Sequence, residues 1–484
     1  MRVMLAAAFT ALATSGALAG PSAPDRLRVE YMEEPMGVDV SVCALLADSF
    51  CFSSAGLRAP GLSVRRGTAC SAEAAELTWP RSASQYPLRF SWSLEHSERG
   101  QQQTAYQIVV SDGKTAVWDS KKTASNVTQN VPIGVAKLKA DTSYTWSVKW
   151  WDSAGTESPE GTAKFSTGLY TEADWKGAKW IGGAMGQYRG EHKLKGAVER
   201  VVAYVIGLGY YKLHVNGKKV STHELGAFTT YTERVYYDTH DITDAVLLGG
   251  GSEMVLGMSL GDGWYAQKSV NVGKPQLMAR VSITYADGTT EDFISDTTWK
   301  YNAGPVTSVD IYNGENYNAT METPGWTEAS ATIPGDWGPT KVAEPPSDHV
   351  KLTSHAILPP IRIGEDYSPV NFWQSAPGEY VFDFGQNMAG FATLFLPEGL
   401  DTVPGTEIAM FHAEMIHGPP ENKSKIFHHY GNAKETNTYV TKGEGEEITY
   451  TPLFTCEYCS CGHSERSEAL SQLSVYLSVP GKRV

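Results

Sequence analysis

The sequence offers little with which to cross a membrane, coat a nucleic acid or build a helical bundle. Beyond residue 19, no stretch approaches the ~18 apolar residues that a spanning helix needs. Basic residues never run beyond adjacent pairs such as Lys121-Lys122 or Lys218-Lys219. With 40 Lys and Arg against 54 Asp and Glu, the net charge is −14. Such a surface repels phosphate backbones, so nucleic acid is not an expected partner, whereas a neutral ligand such as a sugar is indifferent to it. Helical periodicity is scarce as well; Thr239 to Leu248 suggests one short helix. Cysteine is missing between Cys70 and Cys456, and the six present (Cys43, Cys51, Cys70, Cys456, Cys459, Cys461) crowd into two segments. The best-patterned part of the chain therefore holds together without disulfides. Cys456-x-x-Cys459-x-Cys461-x-His463 has superficial zinc-ligand spacing, but no second ligand group faces it across a patterned fold, so a metal is not expected there.

What is present points to strands. The 484 residues can supply about three domains. After residue 89 almost every segment alternates with period two. Asp112-Gly113, Asn216-Gly217 and Asp287-Gly288 sit between such runs as hairpin turns. The expected fold class is all-β, with sandwiches in series. Residues 89–169 suggest a fibronectin type III or immunoglobulin-like sandwich, its Trp92, Tyr106 and Trp146 serving as core. A tryptophan-rich linker, Asp174 to Trp180, leads to a second unit, and a third spans about 355–455. The first 19 residues predict an export signal and a secreted protein: Arg2, an apolar run from Leu5 to Leu12, and a small-x-small cleavage site at Ala17-Leu18-Ala19. In a eukaryotic host, Asn126, Asn318 and Asn422 would then be glycosylation acceptors.

Gly378 to Phe391 packs aromatics around Asp383, Gln386 and Asn387. Alternation sets Tyr380, Phe382 and Phe384 on one side of a strand, with Val381 and Asp383 on the other. Gly385 and Gly390 bracket a connection to a second strand. Asp383 has no partner carboxylate, so scaffold is the expectation.

A series of phrases in order resembles the bacterial-type α-L-rhamnosidases of glycoside hydrolase family 78. Leu27-Arg-Val-Glu-Tyr-Met-Glu-Glu-Pro-Met-Gly37, Arg99 to Tyr106, Trp118-Asp-Ser120 and Ala173-Asp-Trp175 with Trp180-Ile-Gly182 resemble the family's first sandwich and its exit. Gly207-Leu-Gly-Tyr-Tyr211, Val215-Asn-Gly217, Tyr231 to Tyr237, Gly261-Asp-Gly-Trp-Tyr265 and Ile311-Tyr-Asn-Gly-Glu315 resemble its N-terminal sandwich. Val381 to Gly390 is similar to the concanavalin-like sandwich that follows. With the export signal at 1–19, the resemblance implies a fibronectin type III or immunoglobulin-like domain at 25–40 plus 87–169. It further implies a jelly-roll-like rhamnosidase N-terminal β-sandwich at 175–345 and a concanavalin-like sandwich at 355–455. Residues 41–86 and 456–484 depart from the pattern as an atypical insertion and an atypical tail; a retained intron and a misjoined frame would explain them, a lineage-specific insert and tail being the alternative.

The family's chemistry implies inverting hydrolysis of terminal α-L-rhamnose by two carboxyls about 6.5–9.5 Å apart, housed in an (α/α)₆ barrel after the sandwiches. Twelve helices need well over ~150 residues of helical periodicity, and the residues after Thr455 are polar and unpatterned. No catalytic residue is therefore assigned; the expectation is a non-catalytic β portion of a secreted α-L-rhamnosidase, inactive alone, with a stand-alone L-rhamnose-binding protein as the alternative. Rhamnose-containing glycosides or polysaccharides are the expected partners. The candidate binding residues are Trp264, for stacking on a sugar face, with Asp262, Asn313 and Glu315. No cofactor is required, but the resemblance to a calcium-assisted rhamnose-binding module suggests calcium at Asp310 and Asn313. The bland alternative makes Gly261–Tyr265 a tight turn with a packed tryptophan and Asn313-Gly314 another turn. His412, His417, His428 and His429 are expected to be solvated loop histidines.

Overall fold

The computed structural model describes residues 20–29, 36, 88–133, 138–221, 223–398, 403–413, 415–416, 427–428, 433–443, 448–455, 457–465 and 474–480. The export signal, the insertion at 41–86, Asn422, His417, His429 and the side chains of the Cys456–His463 motif lie outside that description. The chain divides into two compact units, one ending at Thr167 and the other beginning at Gly168.

The first unit is a sandwich of antiparallel strands. Arg89–Ser93 lies between Asp25–Val29 and Val131–Pro132, and a second sheet runs in the order Ala116–Asp119, Ala105–Ser111, Ser143–Trp151, Gly161–Ser166. Alternation decides which side chains meet: Phe90 and Trp92, Ile108 and Val110, and Tyr144, Trp146 and Val148 all turn inward and are buried. Phe90 lies 4.5 Å from Trp146, ring to ring, and the buried Trp92 indole donates to Gln103 Oε1 at 3.0 Å. These aromatics are core, as the alternation predicts.

In the second unit, two six-stranded sheets enclose one apolar core. Val198–Leu208 pairs with Gln276–Tyr285 and Arg234–Asp241 in one sheet. In the other, Glu253–Gly261 pairs with Gly186–Lys193 and Tyr210–Val215. Val201 to Ile206 are buried without interruption, because that central strand is covered on both faces. The Asp112-Gly113, Asn216-Gly217 and Asp287-Gly288 turns each join an antiparallel pair. The short helix forms at Thr243–Leu248.

Three features differ from the sequence expectation. Val306–Asp310 and Gly314–Asn318 form a hairpin that leaves the second sandwich. Its second strand pairs in parallel with Thr436–Val440 of the ten-stranded sheet, and Tyr317 stacks on Tyr439 at 5.8 Å. Gly378–Phe391 holds no turn between two strands; Glu379–Leu396 is one long strand carrying a large bulge. From Asp383 opposite Cys461 to Met388 opposite Cys459, this strand advances five residues while its partner advances two. Gly385, at φ +73, permits that excursion, Asp383 Oδ1 accepts its N–H at 2.8 Å, and Gln386 and Asn387 stand exposed at its crest. Finally, Glu457–Glu465 and Ser474–Pro480, in the segment expected to be unpatterned, both pair with that long strand. Strands paired on both edges are held by their backbone and need no alternating side chains, so this segment offers no period-two pattern to read.

His412 is also not a solvated loop residue. It lies within Glu407–Ala413, is buried, and its Nδ1 sits 3.0 Å from the Glu435 carbonyl. Burial depresses its pKa to about 4.

Candidate functional site

The second unit's two sandwiches meet around Tyr210, Leu225, Val306, Val309, Phe391 and Phe454, and the Trp264 surface lies on this cluster. Glu253–Gly261 ends where Tyr210–Val215 begins, with Tyr210 opposite Gly261. The backbone there is too close for side chains. Gly209 has φ +106, and a Cβ on it would stand 1.9 Å from the Gly261 carbonyl oxygen. That contact explains why both phrases, Gly207-Leu-Gly-Tyr-Tyr211 and Gly261-Asp-Gly-Trp-Tyr265, are glycine-rich. Past Gly261 the chain turns through the one-turn helix Gly263–Ala266, which faces Trp264 outward and Tyr265 inward.

Trp264 is half-buried. Phe228 meets it edge-to-face at 5.5 Å and Tyr312 does so at 5.6 Å. Phe228 is 60% exposed and Tyr312 47% exposed, so the three rings form an aromatic ledge reaching solvent. Behind it, Tyr231 packs on Phe228 and Tyr265, and the Tyr265 hydroxyl accepts from Gln276 Nε2 at 3.1 Å. Trp264 is therefore neither a fully packed core residue nor a free-standing platform. Its flanking rings were not singled out from the sequence, although Tyr312 lies inside the quoted Ile311–Glu315 phrase; exposure of a ring in a turn leaves no periodic signal.

The polar residues separate into two groups. Asp262 feels Asp310: burial first, and then the charge of Asp310, raise the Asp262 pKa. Asp310 Oδ1 is committed to its own turn, accepting from the Tyr312 and Asn313 N–H groups at 2.9 and 3.0 Å and from Asn313 Nδ2 at 2.9 Å. Asn313 Oδ1 accepts from the Lys434 N–H at 3.2 Å, so both ends of that amide are engaged. Glu315 is 0% exposed and does not reach the ledge. Its carboxylate accepts from the N–H groups of Leu453 at 3.1 Å and Phe454 at 3.2 Å and from the Tyr450 hydroxyl at 3.2 Å. It braces the hairpin against the strand Ile448–Tyr450 and the segment after it. Burial pushes its pKa up to about 7 against the pull of those donors.

Calcium takes six to eight oxygen ligands. With Asn313 and Asp310 Oδ1 spent on the turn and Glu315 facing inward, Asp262 and Asp310 Oδ2 are what the anticipated set leaves, which does not fit a calcium cage. What the arrangement can do is stack a ring's apolar face and accept hydrogen bonds from neighbouring hydroxyls.

Comparison with known proteins follows the same three-part division. Residues 73–171 match a Rha78A-like N-terminal immunoglobulin domain, 196–365 an α-L-rhamnosidase N-terminal domain, and 373–473 a bacterial α-L-rhamnosidase concanavalin-like domain. By its domains, the chain belongs to the bacterial α-L-rhamnosidase family. An α-L-rhamnosidase of Formosa agariphila is 30% identical over 420 residues, covering 77% of this chain and 43% of that one. An α-L-rhamnosidase of an Alteromonas species is 28% identical over 401 residues, 76% of this chain and 42% of its own. The solved α-L-rhamnosidase of Dictyoglumus thermophilum superposes with a TM-score of 0.74 at 28% identity, over 96% of this chain and 48% of that structure. That of Streptomyces avermitilis, complexed with L-rhamnose, superposes with a TM-score of 0.76; at 21% identity, over 94% of this chain and 57% of the other, it speaks for the fold. The chain thus spans less than half the length of these two curated relatives. Among the described residues, no helix is long and apolar enough to cross a membrane.

Proposed function

We propose that this chain is the non-catalytic β portion of a secreted α-L-rhamnosidase, and that its Trp264 ledge holds the rhamnosyl end of a glycoside. The observation that carries the binding part is the exposed Phe228–Trp264–Tyr312 ledge with Asp262 beside it. L-rhamnose is a 6-deoxy sugar, so its methyl group and axial C–H bonds favour an aromatic surface, and its vicinal hydroxyls suit a carboxylate acceptor. The reading as the β portion is supported by the three matched domains, which are the family's immunoglobulin, N-terminal and concanavalin-like ones. The leader-like first 19 residues support export.

Calorimetric titration with L-rhamnose tests the ledge. The wild-type chain should bind with millimolar to micromolar affinity, unchanged by added calcium. Trp264→Ala should weaken binding at least tenfold, since losing a stacked ring costs ~1–2 kcal/mol or more. Equal heats from wild type and Trp264→Ala would remove the ledge from the account. A calcium-dependent heat would instead point to a second site.

A further inference from the structure

Away from the ledge, three ligand-type side chains converge inside the second unit. Arg234–Asp241 and Lys351–Ser354 are parallel neighbours with Tyr237 opposite Ser354, so the next residues, Asp238 and His355, fall side by side. His223, on the loop after Lys218–Lys219, closes the group from a third direction. One ligand atom from each of His223, Asp238 and His355 lies within 4.8 Å of the others.

We infer that His223, Asp238 and His355 form a binding site for a divalent transition-metal ion of the zinc class. His223 Nε2 lies 3.4 Å from Asp238 Oδ2. Ligands held about 2.0–2.1 Å from a tetrahedral ion stand ~3.3 Å from one another, so this edge already has the spacing of a loaded site. The independent sign is His223 itself. Its ring is only 3% exposed, and Nε2, aimed at the carboxylate, has no hydrogen-bond partner. An ion seated between this nitrogen and the carboxylate would satisfy both.

The surroundings fit a ligand shell. The Tyr211 hydroxyl donates to Asp238 Oδ2 at 2.7 Å and lies 3.0 Å from His240 Nε2, an arrangement that fixes the orientation of the carboxylate. His355 Nδ1 lies 2.7 Å from Asp238 Oδ1. An ion entering there would displace the proton of that bond to solvent, and the contact would open towards the ~3.3 Å separation of two ligands. Two imidazoles and one carboxylate, with a fourth position for water, suit zinc or cobalt; the all-oxygen shell that calcium prefers is lacking. Such an ion would tie the loop leading to Phe228 onto two adjacent strands.

The full chain, stripped with a chelator and dialysed, is titrated with CoCl₂. One equivalent should bind with visible d–d bands typical of nitrogen and oxygen ligands, and ZnCl₂ should displace it and raise the thermal midpoint. His223→Asn and Asp238→Asn, each checked by circular dichroism, should weaken Co²⁺ binding at least tenfold. Should either variant fail to fold, the wild-type spectrum decides: nitrogen–oxygen bands at one equivalent support the site. No Co²⁺ bound at tenfold excess overturns it. So does binding unchanged in His223→Asn with a near-ultraviolet thiolate-to-cobalt band, which would assign the ion to the cysteine-rich segment.

Discussion

Replacing Glu315 by alanine is expected to lower the stability of the second unit by about 3 kcal/mol at pH 5. The carboxyl is fully buried and its acceptors serve three donors: the Leu453 and Phe454 N–H groups and the Tyr450 hydroxyl. Alanine would leave those donors unpaired in a closed interior and open a cavity between the hairpin and the concanavalin-like sheet. The same residue makes stability depend on pH. Burial raises its pKa from 4.5 to about 7 in the folded chain. Between those values the folded state holds a proton that the unfolded state has lost, so stability falls as pH rises. The contribution is fully present below about pH 4.5 and is lost through about pH 7, a swing of about 3 kcal/mol. Glu315→Gln has nothing to titrate and should lack that swing. Urea unfolding of both chains between pH 4.5 and 7.5 checks it; parallel curves would mean that the carboxyl stays ionised inside the fold. His412 acts with the opposite sign. Its pKa is depressed by burial to about 4, so its contribution is present above the unfolded value and is lost as pH falls from about 6.5 towards 4.

Gly209→Ala should be costlier still, by more than ~4 kcal/mol, because two penalties coincide. The backbone stands at φ +106, and the new Cβ would meet the Gly261 oxygen at 1.9 Å and the Asp262 oxygen at 2.9 Å. Both are main-chain atoms that cannot rotate away. Relief requires moving the Asp262–Trp264 turn, so rhamnose binding at the ledge should fail together with stability. Gly288→Ala separates the two penalties. Gly288 has φ +83 but nothing within 4 Å of its added Cβ, so its cost should be about 1 kcal/mol. Similar thermal midpoints for the two variants would show that the close approach at Gly209 is not what holds the turn.

The β architecture was legible because its signals are local. Period-two alternation placed Trp92 and Trp146 in the core and Tyr106 against it, and Asx-Gly dipeptides placed three hairpins. What escaped depends on contacts between distant segments. Nothing near Glu315 in sequence reveals that the Leu453 and Phe454 N–H groups will claim its carboxylate, so a sugar-binding residue was expected where a buried brace stands. His223, Asp238 and His355 are separated by long stretches and come together because a parallel strand pair sets Tyr237 against Ser354. His412 looked solvated beside other histidines, yet strand alternation turns it inward. At the candidate site, Trp264 and Asp262 were named alongside the resemblance, while Phe228 and Tyr312 become neighbours of Trp264 only through the fold.

The central claim is that these β-domains hold sugar without cleaving it. Hydrolysis needs a protonated carboxyl and a second carboxylate on opposite sides of the scissile bond, so a chain that only holds sugar should release none of it. The direct measurement is release of the aryl alcohol from an aryl α-L-rhamnoside by the purified 484-residue chain. The predicted result is no turnover above buffer from pH 4 to 8. Turnover at enzymatic rates that Asp262→Asn abolishes would contradict it, placing a catalytic site within the sandwiches themselves.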